Sequence, residues 1–149
     1  GKCFYQIITE YYLPWSKING PEEIKPVSLK ISYDKLKLTR NETVTCNVEV
    51  AGKNFINMPL VELSIPPGFS VETPELDKLV ENKIIDKYSI TEKNIIIYLE
   101  NISAGKPLVF NYRLRAKYPL KVQVPPSRVY EYYNPENVTE TKPFEMLVE

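Results

Sequence analysis

Residues 108–116 read LVFNYRLRA, and they decide the fold class. Leu108, Phe110, Tyr112, Leu114 and Ala116 alternate with Val109, Asn111, Arg113 and Arg115, and Lys117 continues the second set. In an extended chain successive side chains point to opposite faces. The stretch therefore predicts a half-buried strand with a basic outer face, as an antiparallel sheet gives. The same period recurs at Leu29, Ile31 and Tyr33, and at Val44, Cys46, Val48 and Val50, ending at a turn over Gly52-Lys53-Asn54. Val61, Leu63 and Ile65 form a third core face, and Ile95, Ile97 and Leu99 a fourth. A final aromatic strand is expected from Arg128 to Tyr133, with Phe144–Val148 as a short edge.

One segment breaks the period. Thr73 reads as a helix cap and Pro74 as the first helical residue, with Glu75 and Asp77 near the positive end of the helix dipole. Leu76, Leu79 and Val80 then make an i, i+3, i+4 apolar stripe, and the helix is expected to end near Asn82. Many short strands with frequent turn signals and 13 prolines describe an antiparallel β-sandwich with one short crossing helix near residues 74–82. Upstream, residues 3–13 read as an aromatic-rich strand, and Pro14 to Pro26 as a linker with Asn19-Gly20 as a turn. The expected division is a strand and linker over residues 1–24, then one domain over residues 25–149.

Composition excludes more than it suggests. The 149 residues suit one domain able to bury its own core. Nineteen basic residues balance nineteen acidic ones, so there is no electrostatic case for nucleic acid or an anionic membrane surface. No apolar run reaches membrane-spanning length, and direct membrane insertion is not expected. Histidine is absent, which removes Ser-His-Asp and Cys-His catalysis and every His-ligated metal site. No phosphate loop, nucleophile elbow or carboxylate cluster with metal-ligand spacing occurs, so no catalytic residue, metal or cofactor is expected. Cys3 and Cys46 are either a disulfide, in an oxidising compartment, or two buried thiols. Asn41, Asn101 and Asn137 open glycosylation sequons that matter only in a eukaryotic secretory pathway. A chain opening on Gly1 reads as a piece of a longer protein.

The residues that stand out are apolar or aromatic and out of phase with the core. Extending the outward phase of the third strand backwards from Glu62 reaches Leu60 and Met58, with Pro59 able to distort the register. Tyr98 and Ile96 fall opposite Ile95, Ile97 and Leu99. Tyr130 and Tyr132 share one face of the last strand, and phase alone leaves Tyr132 undecided. From pattern alone, ordinary surface tyrosines explain this better than an apolar patch meeting another domain does.

Four segments carry a family resemblance: MPLVELSIPPGF (58–69), TPELDKLV (73–80), IIIYLENIS (95–103) and RVYEYYNPE (128–136). In this order and spacing, over roughly Val27 to Pro135, the chain resembles the C-terminal, receptor-binding domain of the α2-macroglobulin and complement family. The wording IPPGF and PPSRVYEYYNPE looks more like a prokaryotic member. The resemblance implies a macroglobulin-like β-sandwich with no catalytic role, part of a secreted or envelope-attached protease trap found outside the cell, at its surface or in the periplasm. Family members hold a Cys–Gln thioester in a separate domain of the parent chain and trap proteases after bait cleavage, and a Met and two Tyr of the C-terminal domain shield that bond. Those positions match Met58, Tyr98 and Tyr132. Aromatic and thioether groups packed over a thioester keep water from an activated acyl group.

The resemblance also offers a receptor role through the short helix, where Lys78, Asp77 and Glu81 are the candidate contacts. The family's two receptor lysines match Thr73 and Asp77, and Lys78 lies one position away, about 100° around a helix. Cys3, in GKCFYQ, resembles the strand that precedes this domain in larger members. The runner-up to the protease-trap reading, ahead of the receptor role and from a different class, is an adhesive or structural β-sandwich module of a surface protein that binds a partner through its aromatic patch.

Overall fold

The computed structural model describes residues 25–149. The strand and linker expected over residues 1–24, and Cys3 with them, lie outside the described residues. In chain order the elements are β1 (Val27–Tyr33), β2 (Lys37–Leu38), β3 (Thr43–Gly52), β4 (Ile56–Asn57) and β5 (Pro59–Ser64). They continue with β6 (Phe69–Val71), α1 (Thr73–Glu81), β7 (Lys87–Ile90), β8 (Asn94–Tyr98) and β9 (Asn101–Ile102). The last are β10 (Leu108–Ala116), β11 (Leu120–Val124), β12 (Arg128–Glu131), β13 (Asn134–Glu140) and β14 (Phe144–Val148).

The strand that decided the fold class, β10, pairs antiparallel with β3 on one side and β6 on the other, in a sheet ordered β1-β3-β10-β6. Register sets the inner face in rows: Ile31, Val48 and Phe110 in one, Tyr33, Cys46 and Tyr112 in the next. A five-stranded antiparallel sheet, β13-β12-β5-β8-β7, lies opposite. Its inward residues Val61, Leu63, Ile95, Ile97 and Val129 share one continuous core with the first sheet. That is a β-sandwich. A small sheet ordered β11-β14-β2 adds Leu38, Val122, Val124, Met146 and Val148 to the same core. Here the expectation for Phe144–Val148 is corrected: β14 is the central strand, antiparallel to β11 and parallel to β2.

Helix α1 leaves the first sheet after β6 and enters the second at β7, so it crosses between the layers. Leu76 is fully buried, and Leu79 and Val80 pack against the core. The basic outer face of β10 holds the helix start, because Arg115 pairs with Glu72 at 2.7 Å and Arg113 with Glu75. Glu72, not Thr73, is the N-cap, and its side chain makes no capping bond. Its carboxylate is committed to Arg115, which holds the carboxyl below its ordinary pKa. At the other end Asn82 is the C-cap, and Lys83 takes the left-handed conformation with φ 57°. Lys83 N–H donates to Val80 C=O and Ile84 N–H to Leu79 C=O, the bond pattern of a Schellman motif.

The turn into β6 explains IPPGF. Phe69 N–H donates to Pro66 C=O at 3.2 Å, with Gly68 at φ +80° in the position where a type II turn requires the left-handed region.

Candidate functional site

Four loops and the ends of three strands meet on the outer face of the five-stranded sheet. Antiparallel register lines up Tyr130, Leu60, Tyr98 and Lys87 in one row across β12, β5, β8 and β7. The adjoining row is Arg128, Glu62, Ile96 and Ser89. The second row is locked by charge. Arg128 Nε donates to Glu62 Oε2 at 2.6 Å, Tyr130 Oη donates to Glu62 Oε1 at 2.8 Å, and the guanidinium lies 5.8 Å from the Tyr130 ring centre. Burial, followed by the bond to Glu62, raises the Tyr130 phenol above its ordinary pKa.

The first row opens into a cleft of about 620 Å³, lined by Met58, Leu60, Asp86, Lys87, Tyr98 and Tyr132 together with Leu99 and Glu100. Met58, Tyr98 and Tyr132, which come from three separate segments, are thus brought together. Backbone bonds do the joining. Met58 N–H donates to Glu100 C=O at 2.8 Å, and Tyr132 N–H donates to Met58 C=O at 3.1 Å. Met58 sits between β4 and β5 at φ 50°, a left-handed conformation that costs a non-glycine residue roughly 1–2 kcal/mol. Pro59 directly follows it, and α-type conformations are disfavoured before proline. The kink turns the Met58 side chain outward, leaving it 40% exposed.

Two phase expectations are corrected. Leu60 lies on the outward phase yet is only 8% exposed, because the row places it between Tyr130 and Tyr98. The aromatic strand stops at Glu131 after an irregularity in its pairing with β13, and Tyr132 and Tyr133 form the turn between β12 and β13. At the turn the question of facing for Tyr132 dissolves: it is 56% exposed and its ring meets Tyr133 edge-on at 5.2 Å.

The sequence did not single out Lys87. Its Nζ lies 4.6 Å from the centre of the Tyr98 ring, directly opposite across the β7–β8 ladder. The signal was the alternation in Lys87–Ile90, too short and too polar to mark a strand before its partner was known.

The helix candidates are placed elsewhere. Asp77, Lys78 and Glu81 are exposed, and Asp77 accepts a hydrogen bond from Tyr88 Oη. None of the three lines the cleft. Cys46 is a free, fully buried thiol between Tyr33 and Tyr112, and burial pushes it up to about 11. The alternative of pairing with Cys3 falls on a residue outside the described ones. Among the described residues no group of three or more His, Cys, Asp and Glu stands together as metal ligands would.

Comparison with known proteins agrees with this architecture. The family model for the A-macroglobulin receptor binding domain matches residues 54–143. A crystal structure of native Escherichia coli alpha-2-macroglobulin, from domain MG7 to the C-terminus, superposes over 87% of this chain with a TM-score of 0.73 at 16% identity. Salmonella alpha-2-macroglobulin reacted with methylamine superposes over 88% with a TM-score of 0.71 at 18% identity. Escherichia coli alpha-2-macroglobulin activated by porcine elastase matches over 85% with a TM-score of 0.71, also at 18% identity. The chain spans 24%, 10% and 13% of the length of these three structures.

Proposed function

The chain belongs to the A-macroglobulin receptor-binding domain family, a non-catalytic domain type, and from that premise we propose that it serves as the lid of a protease trap. In this reading it is the C-terminal domain of an α2-macroglobulin-like inhibitor, secreted or attached to the cell envelope. A neighbouring domain of the same parent chain presents a thioester, and the cleft bounded by Met58, Tyr98 and Tyr132 closes over it. Water is kept out until cleavage of a bait segment moves the domains apart, after which the parent holds the protease.

The observation that carries the proposal is the convergence of those three side chains in one partly apolar cleft. A thioester hydrolyses when nucleophiles reach its carbonyl, so its lifetime depends on exclusion of solvent. Rings and a thioether are suited to this, since they pack closely and present no nucleophile. The reaction of the Salmonella relative with methylamine and the activation of the E. coli relative by elastase are the behaviour that this reading extends to the present parent.

The test is methylamine incorporation by the full parent before any protease is added, wild type against Tyr132→Ala. A lid predicts slow labelling in the wild type and labelling faster by about tenfold or more in the variant, a barrier lowered by at least about 1.4 kcal/mol. Equal rates would refute the lid. No labelling of either protein after bait cleavage would mean no thioester, and the domain would then be an adhesive or structural module.

The family's receptor-binding description supports a second reading, in which α1 engages a receptor. Lys78 and Glu81 are exposed on it, while Asp77 is occupied by Tyr88. That reading predicts that Lys78→Ala weakens receptor binding and leaves the labelling rate unchanged.

A further inference from the structure

Resting on the lid reading, we propose that Lys87 is a nucleophile that Tyr98 holds in check, and that it forms a cross-link to the parent's acyl group when the Tyr98 ring is lost. Among the described residues, Lys87 is the one lysine lining the cleft, which places a primary amine at the surface the lid presents. Its Nζ lies 4.6 Å from the Tyr98 ring centre, within the range of a cation–π contact. The two residues are fixed face to face by the β7–β8 ladder, and Asp86 N–H, just before Lys87, donates to Tyr98 C=O at 3.1 Å. The backbone therefore fixes the two residues as cross-strand neighbours, which keeps the ring within reach of the amine.

A lid over an activated acyl group has two hazards. One is water entering; the other is an amine of its own. An ammonium group seated on an aromatic face has no free lone pair, and to attack it must leave the ring and give up its proton. Tyr98 thus has a second role besides excluding water. In its absence nothing holds the Lys87 side chain to the sheet, and its neutral amine reaches and attacks the thioester carbonyl. A C–N amide bond forms, the C–S bond breaks, and the sulfur leaves as a thiolate that takes up the proton the attacking nitrogen gives up. Nothing is oxidised or reduced, and no water is added.

That balance makes the product distinguishable. Hydrolysis releases a thiol and adds one water to the parent, whereas attack by Lys87 releases a thiol with no change of mass and joins two peptides. The experiment is peptide mapping by mass spectrometry of the full parent in four forms: wild type, Tyr98→Phe, Tyr98→Leu, and Tyr98→Leu with Lys87→Arg. Tyr98→Phe keeps the ring and is expected to leave Lys87 free, as in the wild type. Tyr98→Leu is expected to yield the Lys87 cross-link as its main product, and Lys87→Arg in that background to abolish it. Loss of the thioester in Tyr98→Leu by hydrolysis alone, with Lys87 unmodified, overturns the proposal. So does cross-linking in Tyr98→Phe equal to that in Tyr98→Leu. Absence of methylamine labelling of the wild type even after bait cleavage overturns the lid reading and this inference with it, whereas wild-type labelling after bait cleavage with no Lys87 product in Tyr98→Leu overturns this inference alone.

Discussion

Cys46 should give the domain a measurable weakness at alkaline pH. The thiol lies fully buried in the inner row between Tyr33 and Tyr112, and desolvation pushes it up to about 11 while hydrogen bonds from the two phenols only partly counter this. In the unfolded chain it ionises near its ordinary value, roughly 9. Between those values the unfolded state has lost its proton and the folded state has kept it. Stability is therefore fully present below the unfolded value and falls as pH rises. A difference of about two pH units amounts to about 3 kcal/mol in full, of which about 2 kcal/mol is lost between pH 8 and pH 10.5. The phenols of Tyr33 and Tyr112 are raised as well, so they add to the decline above their own range. Substitution isolates the thiol. Under reducing conditions, urea unfolding of wild type and Cys46→Ala at a series of pH values should show Cys46→Ala the less stable at neutral pH, having lost a buried atom. The gap should narrow by about 2 kcal/mol toward pH 10.5, because Cys46→Ala lacks the thiol's share of the slope. A constant gap across that range would refute the assignment of Cys46 as a neutral, desolvated thiol in the core.

Two further outcomes follow from local geometry. Ser127 Oγ accepts from the buried Ser64 N–H at 2.9 Å, so Ser127→Ala strands a donor at the end of β5 and should cost about 1–3 kcal/mol in denaturant unfolding; an unchanged midpoint would show that β5 is not anchored there. In Gly68→Ala the new Cβ would lie 2.8 Å from Leu120 Cδ2 at a backbone φ of +80°, and the left-handed penalty alone predicts a loss of roughly 1–2 kcal/mol, measured in the same way.

The interior was legible because period two is a local property. The faces of β1, β3, β5, β8 and β10, the Leu76-Leu79-Val80 stripe and the helix end at Asn82 all follow from spacing within one segment. What stayed hidden depends on partners. Two-residue strands such as β2, β4 and β9 have no pattern of their own, and β14 reads as an edge until β11 and β2 flank it. The site divides in the same way. Met58 and Tyr98 were visible as outward-facing apolar residues, and the family resemblance supplied Tyr132. Leu60 was misjudged because its burial comes from two tyrosines on neighbouring strands, and Lys87 was missed because only register sets it against Tyr98.

The left-handed backbone at residue 58 has a consequence for how this position drifts over generations. On backbone grounds alone glycine or asparagine would be easier there, since they adopt positive φ at little cost. Methionine has no such advantage, and only its side chain at the cleft favours keeping it. On the lid reading, lineages that guard a labile bond should retain methionine against that gradient, and those that have abandoned the guard should slide toward glycine or asparagine while the surrounding strands stay unchanged. Residue 58 would then record, in a single letter, whether a descendant's trap is still armed.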